Sequence, residues 1–122
     1  MIRRYEDSDY ETVEAWGRDW GASYSKDLLP PVGFIVPDMA AFFLYETPSK
    51  VCFIENLISN KNADPVEVDK AVTLLMDTLI VHAKEMGFEV AYACTNNASV
   101  VKRALKADIT VSPNYVLLQK KL

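Results

Sequence analysis

The sequence predicts an α+β sandwich, a mixed, mostly antiparallel sheet flanked by helices. Three observations predict it. Residues 33–59 alternate apolar runs with turn pairs, as an antiparallel meander does. A long helical pattern then runs from Asp64 to Met86 between clear start and stop signals. A second strand-like stretch follows it at Glu89 to Thr95, so strand, helix and strand form a parallel crossover.

Each element has its own warrant. Ile2 to Tyr5 suits a short first strand. Asp7 or Ser8 can cap a helix to about Arg18, in which Tyr10, Val13 and Trp16 share one face, with Trp20 beyond. Gly17 and Gly21 weaken it, so Trp20 to Leu29 reads as a loop or a short second helix. Gly33 to Val36 is a strand that turns at Pro37-Asp38 and returns as Met39 to Glu46. After the Thr47-Pro48-Ser49 turn, Val51 to Ser59 is a strand apolar on both faces, with Val51, Phe53 and Leu57 opposite Cys52, Ile54 and Ile58. That pattern fits a central strand covered on two sides.

The long helix begins at Asp64-Pro65-Val66-Glu67, with Asp as N-cap, Pro at the first helical position and Glu three residues after the cap. Gly87 stops it. Val68, Ala71 or Val72, Leu75, Leu79, Ala83 and Met86 form its buried stripe. Asn96-Asn97 opens a short helix, Ser99 to Lys106. Ile109 to Val111 and Tyr115 to Gln119 read as closing strands about a Ser112-Pro113-Asn114 turn.

A length of 122 residues fits one domain over 1–122, and a 50% hydrophobic content can fill its core. A net charge of −4 argues against a broad basic face for nucleic acid. Cys52 and Cys94 have no zinc-ligand spacing and no metal is expected; they read as free, buried thiols of a reducing cytosol. The start of the chain turns acidic at Glu6-Asp7 without an apolar signal core. The longest apolar run, Met39 to Tyr45, is too short to span a bilayer. A soluble cytoplasmic protein is expected.

The order of elements resembles the GNAT N-acetyltransferase superfamily across nearly the whole chain. Ile80 to Phe88 is similar to a common family helix ending, an Ala-Lys pair before Gly-Phe. Asn96-x-x-Ser99 resembles the family's Asn-x-x-Ser/Ala. Leu29-Pro30-Pro31-x-Gly33-Phe34, Ala40-Ala41-x-Phe43-Leu44 and Ile58-Ser59-Asn60 resemble a divergent, phage-encoded set, which would place the protein in a host cytoplasm.

The resemblance implies that the third meander strand, the long helix and the next strand bind acetyl-coenzyme A, and that an amine attacks the thioester directly. It implies cofactor contacts at Leu57, Ile58, Ser59, Asn60, Lys61, Asn62, Asn96 and Arg103, with backbone N–H groups near Leu57 and Ile58 polarising the carbonyl. Trp16, Trp20 and Tyr24 fall on the acceptor side, facing a small-molecule or protein amine. Glu55, a carboxylate in an apolar strand, is the candidate general base.

Three departures stand against this. The family's Gln/Arg-x-x-Gly-x-Gly/Ala at the helix start would fall on Glu67, Lys70 and Val72. No glycine lies between Gly33 and Gly87. Asp64, Glu67 and Asp69 crowd the helix end that a pyrophosphate would use, and each would repel it by on the order of 1 kcal/mol. Lys61 and Lys70 offset part of that. Arg103 stands where active members often carry a Tyr acid, and Ala107-Asp108 replaces a Gly-Phe. A second class therefore stands beside the enzyme: a catalytically inactive GNAT-fold binding or structural protein, docking a partner on the Trp16–Tyr24 edge or pairing as a homodimer.

The plain structural reading of each residue is also open. Glu55 can sit in water at a strand splay or pair with a cation. Asn60 and Lys61 can belong to a solvated loop, Trp16 and Cys94 to the core, and Arg103 and His82 to helix surfaces.

Overall fold

The meander forms as its apolar runs and turn pairs require. In a computed structural model describing residues 1–95, 98–106 and 109–122, β2 (Val32–Val36), β3 (Ala40–Tyr45) and β4 (Val51–Ser59) pair antiparallel in sequence order. β1 (Arg3–Arg4) adds antiparallel to β2, and β5 (Val90–Tyr92) adds parallel to β4, completing a five-stranded mixed sheet in the order β1-β2-β3-β4-β5. The chain forms two compact units, Met1–Tyr92, which holds this sheet, and Ala93–Leu122.

α2 (Pro65–Glu85) is the parallel crossover. Asp64 accepts a hydrogen bond from the Glu67 N–H at 3.3 Å, Pro65 opens the helix, and Gly87 ends it at φ 92°, where a side chain would be strained. The expected stripe is buried at Ala71, Val72, Leu75, Leu79 and Ala83, and Met76 joins it, while Val68 is half-buried and Met86, at the last turn before Gly87, is exposed. α2 packs on β2, β3 and β4. His82 sets its ring edge against Phe34, centroids 5.4 Å apart.

On the other face α1 (Tyr10–Asp19) brings Val13 and Trp16 onto Tyr5, Ile35, Ala41, Phe43 and Ile58. A single 3-10 turn, Asp7–Asp9, leads into α1, and another at Lys26–Leu28 is all that forms where a short second helix is the alternative to a loop. Tyr24, Leu29 and Tyr45 close over this core.

Asp9 anchors the entry to α1. Arg3 donates to both of its carboxylate oxygens, at 2.8 and 2.7 Å, and the Glu6 N–H donates at 2.9 Å. The Arg3 hydrogen bonds hold the Asp9 carboxyl below its usual range against the opposing effect of burial, and the Glu6 N–H adds to them. A depressed native pKa contributes stability above the unfolded value near 4, and that contribution is lost as pH falls through the native value. Urea melts across an acid series are expected to show stability dropping below about pH 4, and Asp9→Asn to flatten that slope by up to about one proton. An unchanged slope in the variant would contradict this role.

In the second unit, α3 (Ala98–Lys106) forms as predicted. The closing strands do not: residues 109–111 and 115–119 make no ladder among the described residues, and Tyr115 to Leu118 are exposed. A strand needs a partner, and this apolar run lacks the period-2 alternation that selects one face. Cys52 is buried as expected, whereas Cys94 is exposed, because β5 ends at Tyr92 and Cys94 lies beyond it. No described helix is long and apolar enough to cross a membrane.

Candidate functional site

β4 is not a uniform strand. Ala41 pairs with Ile58 and Phe43 with Glu55, so two residues on β4, Asn56 and Leu57, oppose Phe42 alone on β3. Asn56 absorbs the extra residue at φ 59°, a left-handed conformation that Asn tolerates better than most residues. Its side-chain N–H donates to the Tyr45 hydroxyl at 2.5 Å, and Tyr45 donates to the Leu28 carbonyl at 2.8 Å. The bulge is thereby tied to the 26–29 segment. Burial pushes the Tyr45 phenol up from its usual value, and the Asn56 hydrogen bond opposes that shift.

This bulge corrects the predicted faces of the strand. The extra residue turns Ile58 onto the side of Phe43 and Tyr45, where it joins the core beneath α1. Glu55, half-buried, shares that side through its pairing with Phe43. A bulge also removes local N–H and C=O groups from the ladder. On the other edge, the β4–β5 ladder ends at Phe53–Tyr92, while β4 runs on to Ser59. β4 therefore carries main-chain hydrogen-bonding groups beside Glu55 that neither ladder uses fully.

The loop after β4 gathers several predicted residues. The Trp20 indole N–H donates to the Ser59 carbonyl at 2.9 Å, and Lys61 Nζ lies 5.0 Å from the Trp20 ring centroid and 3.4 Å from the Asp19 carbonyl. Trp20, predicted on the acceptor side, thus meets Ser59 and Lys61, predicted on the cofactor side, and stays 57% exposed. Asn60 donates to the Asp38 carbonyl at 2.9 Å and accepts from the Asn62 N–H at 3.0 Å. Its side chain braces the β2–β3 turn and shapes the loop.

Trp16 is buried in the core. Tyr24 is half-buried, and its carbonyl accepts a hydrogen bond from the Tyr10 hydroxyl. Arg103 lies on α3 in the second unit. Asn96, Ala107 and Asp108 lie outside the described residues. The acidic helix start has the predicted form: Asp64 caps α2, and Glu67 pairs with Lys70 at 3.3 Å.

Sequence reasoning missed Asn56 and Tyr45. The signal was the adjacent polar pair Glu55-Asn56 interrupting an apolar strand.

No family model matches the chain, and no curated protein matches it by sequence. Solved structures do match. The ribosomal-protein-S18-alanine N-acetyltransferase of Escherichia coli superposes with a TM-score of 0.70 at 11% identity, over 88% of this chain and 76% of that one. A GNAT-family acetyltransferase of Streptococcus pneumoniae TIGR4 gives 0.67 at 12%, over 99% and 98%. An aminoglycoside acetyltransferase from an uncultured soil metagenomic sample gives 0.68 at 13%, over 100% and 95%. The fold is therefore GNAT-like: an α+β fold with a mixed five-stranded sheet and three helices. At these identities the likeness is one of fold.

Proposed function

We propose that this chain is a divergent N-acyltransferase that moves an acetyl group from acetyl-coenzyme A to an amine. This rests on the bulge at Asn56-Leu57, which sets unladdered main-chain groups next to a half-buried carboxylate, and on a fold shared with acetyltransferases.

The residues fit the two ends of acetyl-coenzyme A unequally. The β4 edge past Phe53 suits the amide-bearing pantetheine arm, whose polar groups can bond to main chain of any sequence. The phosphate end finds no glycine loop, and Asp64 occupies an N–H of the helix end. Lys61 and the main chain of residues 59–63 would hold the phosphates instead. Bound there, acetyl-coenzyme A supplies the activated acetyl group.

Main-chain N–H groups of Leu57 and Ile58 would stabilise negative charge developing on the thioester oxygen. Glu55, directly or through water, would take a proton from the attacking nitrogen. Water would return a proton to the departing thiolate. Calorimetric titration with acetyl-coenzyme A is expected to give saturable, one-site binding. No heat at millimolar ligand would overturn the assignment.

One observation favours a second reading. The capped, acidic start of α2 suits a non-catalytic GNAT-fold module as well as it suits an altered phosphate site. Such a module would dock a partner near exposed Trp20 and would leave the same titration silent. A phage origin rests on residues 29–44 and 58–60 of the sequence alone.

A further inference from the structure

The face of the sheet that carries Glu55 also carries a row of rings. Tyr45, Phe53 and Tyr92 are register partners across β3, β4 and β5, so their side chains stand side by side on one face. Glu55 pairs with Phe43 in the same unbroken register, two residues along β4 from Phe53. It therefore shares that face, its Cα about 7 Å from that of Phe53.

The row is unevenly covered. Tyr45 is half-buried, and its hydroxyl is engaged with Asn56 and Leu28. The Phe53 and Tyr92 rings meet with centroids 5.9 Å apart and planes tilted by 40°, yet they stay 39% and 54% exposed. Two adjoining rings left in water beside a carboxylate offer a flat apolar surface with an anionic end. Their rung is also the last of the β4–β5 ladder, so it borders the stretch of β4 that holds Glu55 and the bulge. The aromatic residues expected on the acceptor side do not supply such a surface here. Trp16 is in the core, and Trp20 is bonded to the Ser59 carbonyl beyond the end of the ladder.

Resting on the acetyl-transfer reading, we infer that Phe53 and Tyr92 select the acceptor, a primary amine joined to an aromatic ring by a short carbon link. The acceptor ring lies on the Phe53–Tyr92 shelf, the link covers the step along β4, and the Glu55 carboxylate takes the ammonium group. That ammonium then sheds two protons. One leaves through Glu55, and one reaches the sulfur through water as the C–N bond forms and the C–S bond breaks. An alkyl amine meets the same carboxylate and forgoes the shelf.

The test is coenzyme A release at saturating acetyl-coenzyme A, with 2-phenylethylamine and with butylamine, beside the acetyl-coenzyme A titration above. The aryl amine is expected to be preferred about tenfold in kcat/KM. Phe53→Leu and Tyr92→Leu should each raise its KM by about three- to tenfold and change butylamine less than about twofold. Both rings are exposed, so both variants should fold, which circular dichroism checks. Equal use of the two amines, or a preference that survives both variants, would overturn the shelf and leave acetyl transfer standing. Acetyl-coenzyme A binding with neither amine acetylated would overturn the shelf as well. A silent titration would remove the acetyl-transfer reading itself, and the shelf with it.

Discussion

Glu55→Gln is expected to lower the rate of amine acetylation by about 10²- to 10⁴-fold, the usual contribution of a positioned general base. The substitution keeps size and shape and removes only the ability to accept a proton at that oxygen. Glu55 sits next to Asn56, whose left-handed conformation and bond to Tyr45 fix the local main chain. Acetyl-coenzyme A affinity should therefore change little while turnover collapses. Coenzyme A release across a panel of primary amines provides the assay. Undiminished release by the variant would remove Glu55 from the chemistry.

Phe43→Ala is expected to cost about 3–5 kcal/mol of stability. Phe43 is fully buried, and its ring meets Tyr5 edge-on with centroids 4.8 Å apart. The other side of the ring rests against Gly33, where an added Cβ would lie 2.5 Å from Cδ1. Directly opposite the ring, Gly33 has no side chain to move into the space it leaves. The expected fall in melting temperature is on the order of 10–20 °C. Val81→Ala on α2, 56% exposed, should stay within about 0.5 kcal/mol and serves as the control. Equal melting shifts for the two variants would contradict the placement of the core.

Much of this fold is legible in the sequence because its signals are local. Asp64, Pro65, Glu67 and Gly87 mark α2 by capping chemistry that depends on near neighbours only. Pro37-Asp38 and Thr47-Pro48-Ser49 set the meander turns for the same reason. The acidic obstruction at the helix start is equally local, and the cap at Asp64 has the predicted geometry.

The site's central feature was not local. A bulge exists only relative to a partner strand, so its position depends on how Ala41 and Phe43 register against Ile58 and Glu55. Alternation counted along β4 therefore put Ile58 on the wrong side. The Tyr45–Leu28 bond and the Trp20–Ser59 bond join residues 17 and 39 positions apart, beyond any periodicity argument. Residues 115–119 err in the other direction: strong β formers in sequence, they make no ladder among the described residues.

The bulge as the thioester site is tested most directly by amide NMR. On addition of acetyl-coenzyme A, the N–H resonances of Asn56, Leu57 and Ile58 are expected to shift in a saturable way, together with those of the 59–63 loop. Saturable shifts confined to other regions, or none at millimolar ligand, would contradict it.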